Sequence, residues 1–144
     1  MNNYRENSWE WAAYRAATRY EIGMPTEITT TYRELFESGM IPILARVAWT
    51  ELENNATGWS LDDQIRLMAG KQHDYGHGNI LKFGRRGVEV RLWDKIARYD
   101  NLVRRGVDPE NETLNDTLVD IVGYVIIWLM LGDNTFTMPL ADDL

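Results

Sequence analysis

The stretch Glu112 to Leu131, ETLNDTLVDIVGYVIIWLML, opens with acids and ends as the most apolar run in the chain. Asp108-Pro109 cannot lie inside a helix, and acidic residues favour a first turn, so a helix start is expected just after it. On a helix Asp116 and Asp120 stack one turn apart, with Glu112 one turn earlier, and the same stripe runs on through Gly123 and Ile127. A solvated face would have stayed polar. The two aspartates are therefore expected at the mouth of a buried surface, where paired carboxylates repel unless a cation stands between them. Val119 to Leu131 is apolar nearly all round, which suggests a helix that is covered on every side, in a homodimer or larger bundle. The Ile121–Leu131 run is too short for a membrane span, so a core or subunit-interface helix is expected and no membrane partner.

The remaining segments read as helices too. Ser8 suits an N-cap for Ser8–Tyr20, with Trp9, Ala13, Ala16 and Tyr20 at helical spacing. Thr31 with Glu34 has the capping-box pattern before Tyr32–Glu37, which Gly39 closes. Pro42 begins a helix to Asn54, with Ile43 and Val47 inward. Ser60 with Asp63 caps Leu61–Tyr75, whose stripe is Leu61, Ile65 and Met68. The glycine-rich 76–87 segment reads as a loop. Val88–Arg105 follows, with Leu92, Ile96, Tyr99 and Val103 facing the core and Gly106 as a stop. A polar tail, 132–144, reads as loosely held. No strand-like alternation lasts beyond four residues, so the expectation is a compact all-α bundle of five or six helices in a single domain spanning 1–144.

Composition narrows the function. A net charge of −7 argues against nucleic-acid binding through a basic patch. With no cysteine there is no disulfide, thiolate chemistry or Cys-based zinc site. The polar N-terminus does not read as a signal peptide, and a cytoplasmic protein is expected. His73 and His77 have a two-His zinc spacing, but Gly76 breaks the helix that would aim both inward. His73-Asp74 matches the dyad of HD phosphohydrolases, which need more histidines than the two present.

Four groups of residues carry candidate chemistry. Lys71 to Gly76 packs a cation, an imidazole, a carboxylate and an aromatic ring into a helix end, either as a polar terminus or as a ligand loop with Asp74 on a metal and Tyr75 on a base. Arg91, Asp94 and Arg98 suit a surface salt-bridge ladder, while Lys95, at its edge, can reach over the core toward the next helix. Asp116 and Asp120, with Tyr124 one turn on, suit either salt bridges to Lys95 or Arg98, or magnesium, whose usual substrates are nucleotide phosphates. Lys82 to Arg86, KFGRR, is either solvated, or a phosphate contact or a lid.

Lys71-x-x-Asp74-Tyr75-Gly76, then Asp94-Lys95-Ile96-x-Arg98, then Asp116-Thr117-Leu118-x-Asp120-Ile121-x-x-Tyr124 resembles the small phage and bacterial family called nucleotide modification associated domain, type one. The likeness covers about 61–131; residues 1–58 match nothing. It implies a role in nucleotide metabolism or base modification, in the host cytoplasm if the chain is phage-encoded. A weaker likeness is to the MazG-like all-α nucleotide pyrophosphohydrolases, with Asp120 as their final acid. Here Thr117 stands where they have Glu, and no upstream Glu-x-x-Glu helix is present; Glu51 and Glu53 are two apart and cannot share a face. The resemblance implies a nucleotide-phosphate-handling protein. As an enzyme it would hold magnesium on Asp74, Asp116 and Asp120, with Asp116, Asp120 and Lys95 catalytic. Lys71, His73, Tyr75, Arg91, Arg98 and Tyr124 would bind the substrate, a (deoxy)nucleoside triphosphate cleaved to monophosphate and pyrophosphate. The alternative is a non-catalytic nucleotide binder that uses the same cations without metal.

Overall fold

Helix α7 (Glu112–Gly132) is the element on which the others pack, and its surroundings explain its composition. In the computed structural model, which describes residues 3–106 and 112–144, α7 lies between α3 (Ile41–Asn54) and α6 (Gly84–Arg104). It also touches α1 (Trp9–Arg19) and α4 (Leu61–Tyr75). Leu118, Ile121, Val122, Val125, Ile126 and Met130 have no measurable exposure. Burying each side chain of this size favours folding by roughly 1.5–3 kcal/mol before chain entropy is counted. Thr113–Gly132 is long and apolar enough to cross a bilayer by length and composition, and 56% of its most apolar window is buried within this chain. Neighbours in the same chain thus cover much of the circumference from which a homo-oligomer was expected.

The all-α reading holds: among the described residues there are seven α-helices, a short 3-10 turn at Ala141–Asp143, and no strand. The helix starts follow their capping chemistry. Ser8 accepts from the Trp11 amide, Thr31 from Glu34, and Ser60 with Asp63 forms a reciprocal capping box. The two Ser60 hydrogen bonds hold the Asp63 carboxyl below the usual carboxylate range. The Asp108-Pro109 turn expected ahead of α7 lies outside the described residues.

Five local expectations are corrected. Residues 76–87 are not one loop: Gly78–Leu81 forms a turn of helix, α5, after α2 (Tyr32–Glu37), α3 and α4 in chain order, and α6 begins at Gly84. Arg85 does not lie in a free lid, because its guanidinium stacks 3.6 Å from the Trp128 ring centroid and its Nε donates to the Trp128 carbonyl. In α3 the buried face is Ile41, Leu44, Ala45, Ala48 and Leu52, so Ile43 and Val47 sit at its edge. Val103, expected to face the core, is exposed, since the last turn of α6 runs past it.

The tail is the fifth. Phe136 is 2% exposed and meets Trp9 edge-on at 6.3 Å. The Trp9 amide donates to the Pro139 carbonyl at 2.7 Å, and the Ala141 amide donates to Glu10 Oε1. One aromatic side chain and a few backbone bonds outweigh the polar composition of residues 132–144. Phe136→Ala is expected to lower unfolding free energy by about 3 kcal/mol. Urea denaturation checks this, and a loss below about 1 kcal/mol would return the tail to a loosely held state.

Candidate functional site

The polar stripe of α7 faces a cavity of about 360 Å³ between α7, α4 and the first turns of α6. Its floor is apolar, formed by Met68, Ile80, Val119, Ile127, Phe136 and Trp9. Gly123 belongs to the wall: a Cβ there would stand 3.3 Å from Gln64 Nε2, so glycine allows α4 to approach α7. Gly76, with φ of 66°, ends α4 at the rim in a conformation that other residues seldom adopt.

Five of the residues singled out in the sequence converge here: Lys71, Tyr75, Arg91, Asp120 and Tyr124 all line the cavity. Lys95 stands beside it. Its Nζ lies 2.9 Å from Asp120 Oδ2, the reach across to the next helix expected from its position at the edge of α6. Lys71 Nζ lies 3.6 Å from Asp120 Oδ1, so the carboxylate has an ammonium on each oxygen. The two contacts differ in kind. Lys95 makes a close contact with its side chain 29% exposed, whereas Lys71 is beyond hydrogen-bond range and 55% exposed. Arg91 lines the cavity and, among the described residues, makes no ion pair. The expected Arg91–Asp94–Arg98 ladder does not form.

The other candidates lie apart from the cavity. His73 and Asp74 are exposed and pair with each other at 3.3 Å, and Asp116 and Arg98 are exposed on α7 and α6. Among the described residues no three His, Cys, Asp or Glu side chains gather closely enough to hold a metal ion; Asp120 lines the cavity, and Asp74 and Asp116 do not. Asp120 has an ammonium group within 4 Å of each carboxylate oxygen.

Residues not singled out also matter. Gln64, 1% exposed, accepts from Trp59 Nε1 at 2.9 Å and donates to the Val119 carbonyl at 3.2 Å. It shares the face of Leu61 and Met68, and a glutamine on an apolar stripe was the available signal. Gln72 and Asn79 add amide groups to the lining. Trp9 is 1% exposed, lines the cavity, and its indole N–H has no acceptor among the described residues, an unusual state for a buried donor.

A second polar cluster lies across the bundle. Glu51, half-buried on α3, accepts from Tyr32 at 2.8 Å and from Tyr99 at 2.7 Å, pinning α2 and α6 to α3. Glu53 turns instead to Trp49 Nε1, as their two-residue spacing requires. Burial first, and the Glu51 carboxylate next, raise both phenols well above their ordinary value of 10.0. A raised folded-state pKa makes a stabilising contribution that is complete below the unfolded value and is lost as pH rises through it toward the folded one.

Comparison with protein-family models, curated proteins and solved structures finds no match. The likeness to the nucleotide modification associated domain family therefore rests on the three spaced motifs.

Two outcomes are expected. The melting temperature should fall as pH rises past about 10, and more gently in Tyr99→Phe; parallel pH profiles would remove the Glu51 cluster from the stability account. Lys95→Ala should cost about 1–3 kcal/mol by removing the close partner of Asp120, against less than about 1 kcal/mol for the more exposed Lys71→Ala. Equal losses would contradict the assignment of Lys95 as the structural partner.

Proposed function

We propose that this chain is a nucleotide-phosphate-handling protein, and that it works by binding rather than by magnesium-dependent hydrolysis. The observation that carries this reading is the meeting of Lys71 and Arg91 with Tyr75 and Tyr124 around a cavity with an apolar floor. A ligand with a flat ring and an anionic group matches that set. The ring lies against hydrocarbon and phenol faces, and the anion takes the charge-assisted donors of Lys71 and Arg91. Among the described residues the guanidinium has no carboxylate to leave before it meets such a ligand. Tyr75, 72% exposed at the rim, has room to close over a bound ring.

The binder reading is favoured over the hydrolytic one by the ligand set. Hydrolysis through magnesium would need Asp74 and Asp116 carried to the cavity and the ammonium groups displaced from Asp120.

Titration calorimetry with nucleoside phosphates, in EDTA and in magnesium, tests this. Binding is expected in EDTA, and Arg91→Ala is expected to weaken it by roughly 10- to 100-fold, the usual range for losing a hydrogen bond to a charged group. Absence of binding to every nucleotide in both buffers would overturn the reading. Binding only in magnesium, with turnover abolished by Asp120→Asn, would replace it with the hydrolytic one.

A further inference from the structure

We infer that Asp120 sets the anionic charge that the cavity accepts, and so restricts it to ligands of the nucleoside monophosphate class. This inference rests on the nucleotide-binding reading above. Three cations stand at or beside the cavity: Lys71, Arg91 and Lys95. One carboxylate, Asp120, opposes them, and its close contact at 2.9 Å is with Lys95. Lys95 and Asp120 cancel as a half-buried pair. Lys71, 3.6 Å away and 55% exposed, is held loosely enough to turn to a ligand, and Arg91 has no ion-pair partner among the described residues.

Two positive charges are thus left for the ligand. A phosphate monoester carries about −1.5 to −2 at neutral pH and is matched by them. A triphosphate carries more negative charge than Lys71 and Arg91 neutralise, and its surplus would meet the Asp120 carboxylate in the cavity wall. Size points the same way, since about 360 Å³ is near the lower end of the roughly 300–1,000 Å³ typical of small-molecule pockets. Asp120 is a specificity-determining residue in this scheme. It rejects excess charge by standing where further phosphates would lie.

The test measures affinities of the whole chain for deoxynucleoside mono- and triphosphates of all four bases, in EDTA so that no cation screens the phosphates. Wild type is expected to bind the preferred monophosphate at least as tightly as its triphosphate. Asp120→Asn frees Lys95 and should move the triphosphate-to-monophosphate affinity ratio toward the triphosphate by about tenfold or more. Asp120→Asn with Lys95→Gln restores the wild-type charge balance and should restore the wild-type ratio. A ratio is insensitive to partial misfolding, so a destabilised variant still reports. Tighter triphosphate binding by wild type, or a ratio unmoved by Asp120→Asn, overturns the inference and leaves nucleotide binding standing. Failure of every nucleotide to bind overturns the binding reading itself.

Discussion

A carboxylate left only 25% exposed is costly unless a cation answers it, and here Lys95 of α6 answers Asp120 of α7 at 2.9 Å. That ion pair joins the two requirements of the bundle. Below Asp120, α7 is covered by α3 and α6 and supplies much of the core. At Asp120 and Gly123 the same helix thins into a wall, and α4 approaches close enough for Gln64 to reach the Val119 carbonyl. The cavity exists because the apolar packing of α7 and its polar stripe meet there.

The cavity is also bounded by parts of the chain far away in sequence. Trp9 comes from the first helix and Phe136 from the last dozen residues, and the two meet edge-on at its floor. The C-terminal segment is therefore part of the site wall. Electrostatics follow the same economy: an acidic protein with net charge −7 gathers Lys71, Arg91 and Lys95 around one carboxylate. An anionic ligand would meet a locally positive wall against a negative background.

Much of this was legible in the sequence because its causes are local. Serine and threonine caps mark where α1, α2 and α4 begin, and the apolar run marks α7. Spacing of three and four placed Asp116, Asp120, Gly123 and Ile127 on one stripe and set Lys95 at a helix edge; the cavity wall takes Asp120, Gly123 and Ile127 but leaves Asp116 exposed, and Lys95 reaches Asp120. The tail and the 76–87 segment were less legible because long-range contacts hold them. Phe136 finds Trp9 across the fold, and Arg85 finds Trp128 on α7, neither of which has a periodic signature. The metal set illustrates the converse. Asp74, Asp116 and Asp120 fit a motif order, but order along the chain does not fix distance, and the bundle leaves two of them exposed away from the cavity.

The most direct measurement is amide and indole chemical-shift mapping of a bound nucleoside monophosphate on nitrogen-15-labelled protein. The unpartnered Trp9 indole N–H, the Gln64 side-chain amide, Gly76 and Gly123 all report on the cavity wall or rim. The expected result is a set of saturable shifts concentrated on those four and on the backbone around Lys71, Arg91 and Asp120. Shifts concentrated instead around the exposed His73–Asp74 pair and Asp116, or spread without a focus, would contradict a binding site built on the polar stripe of α7.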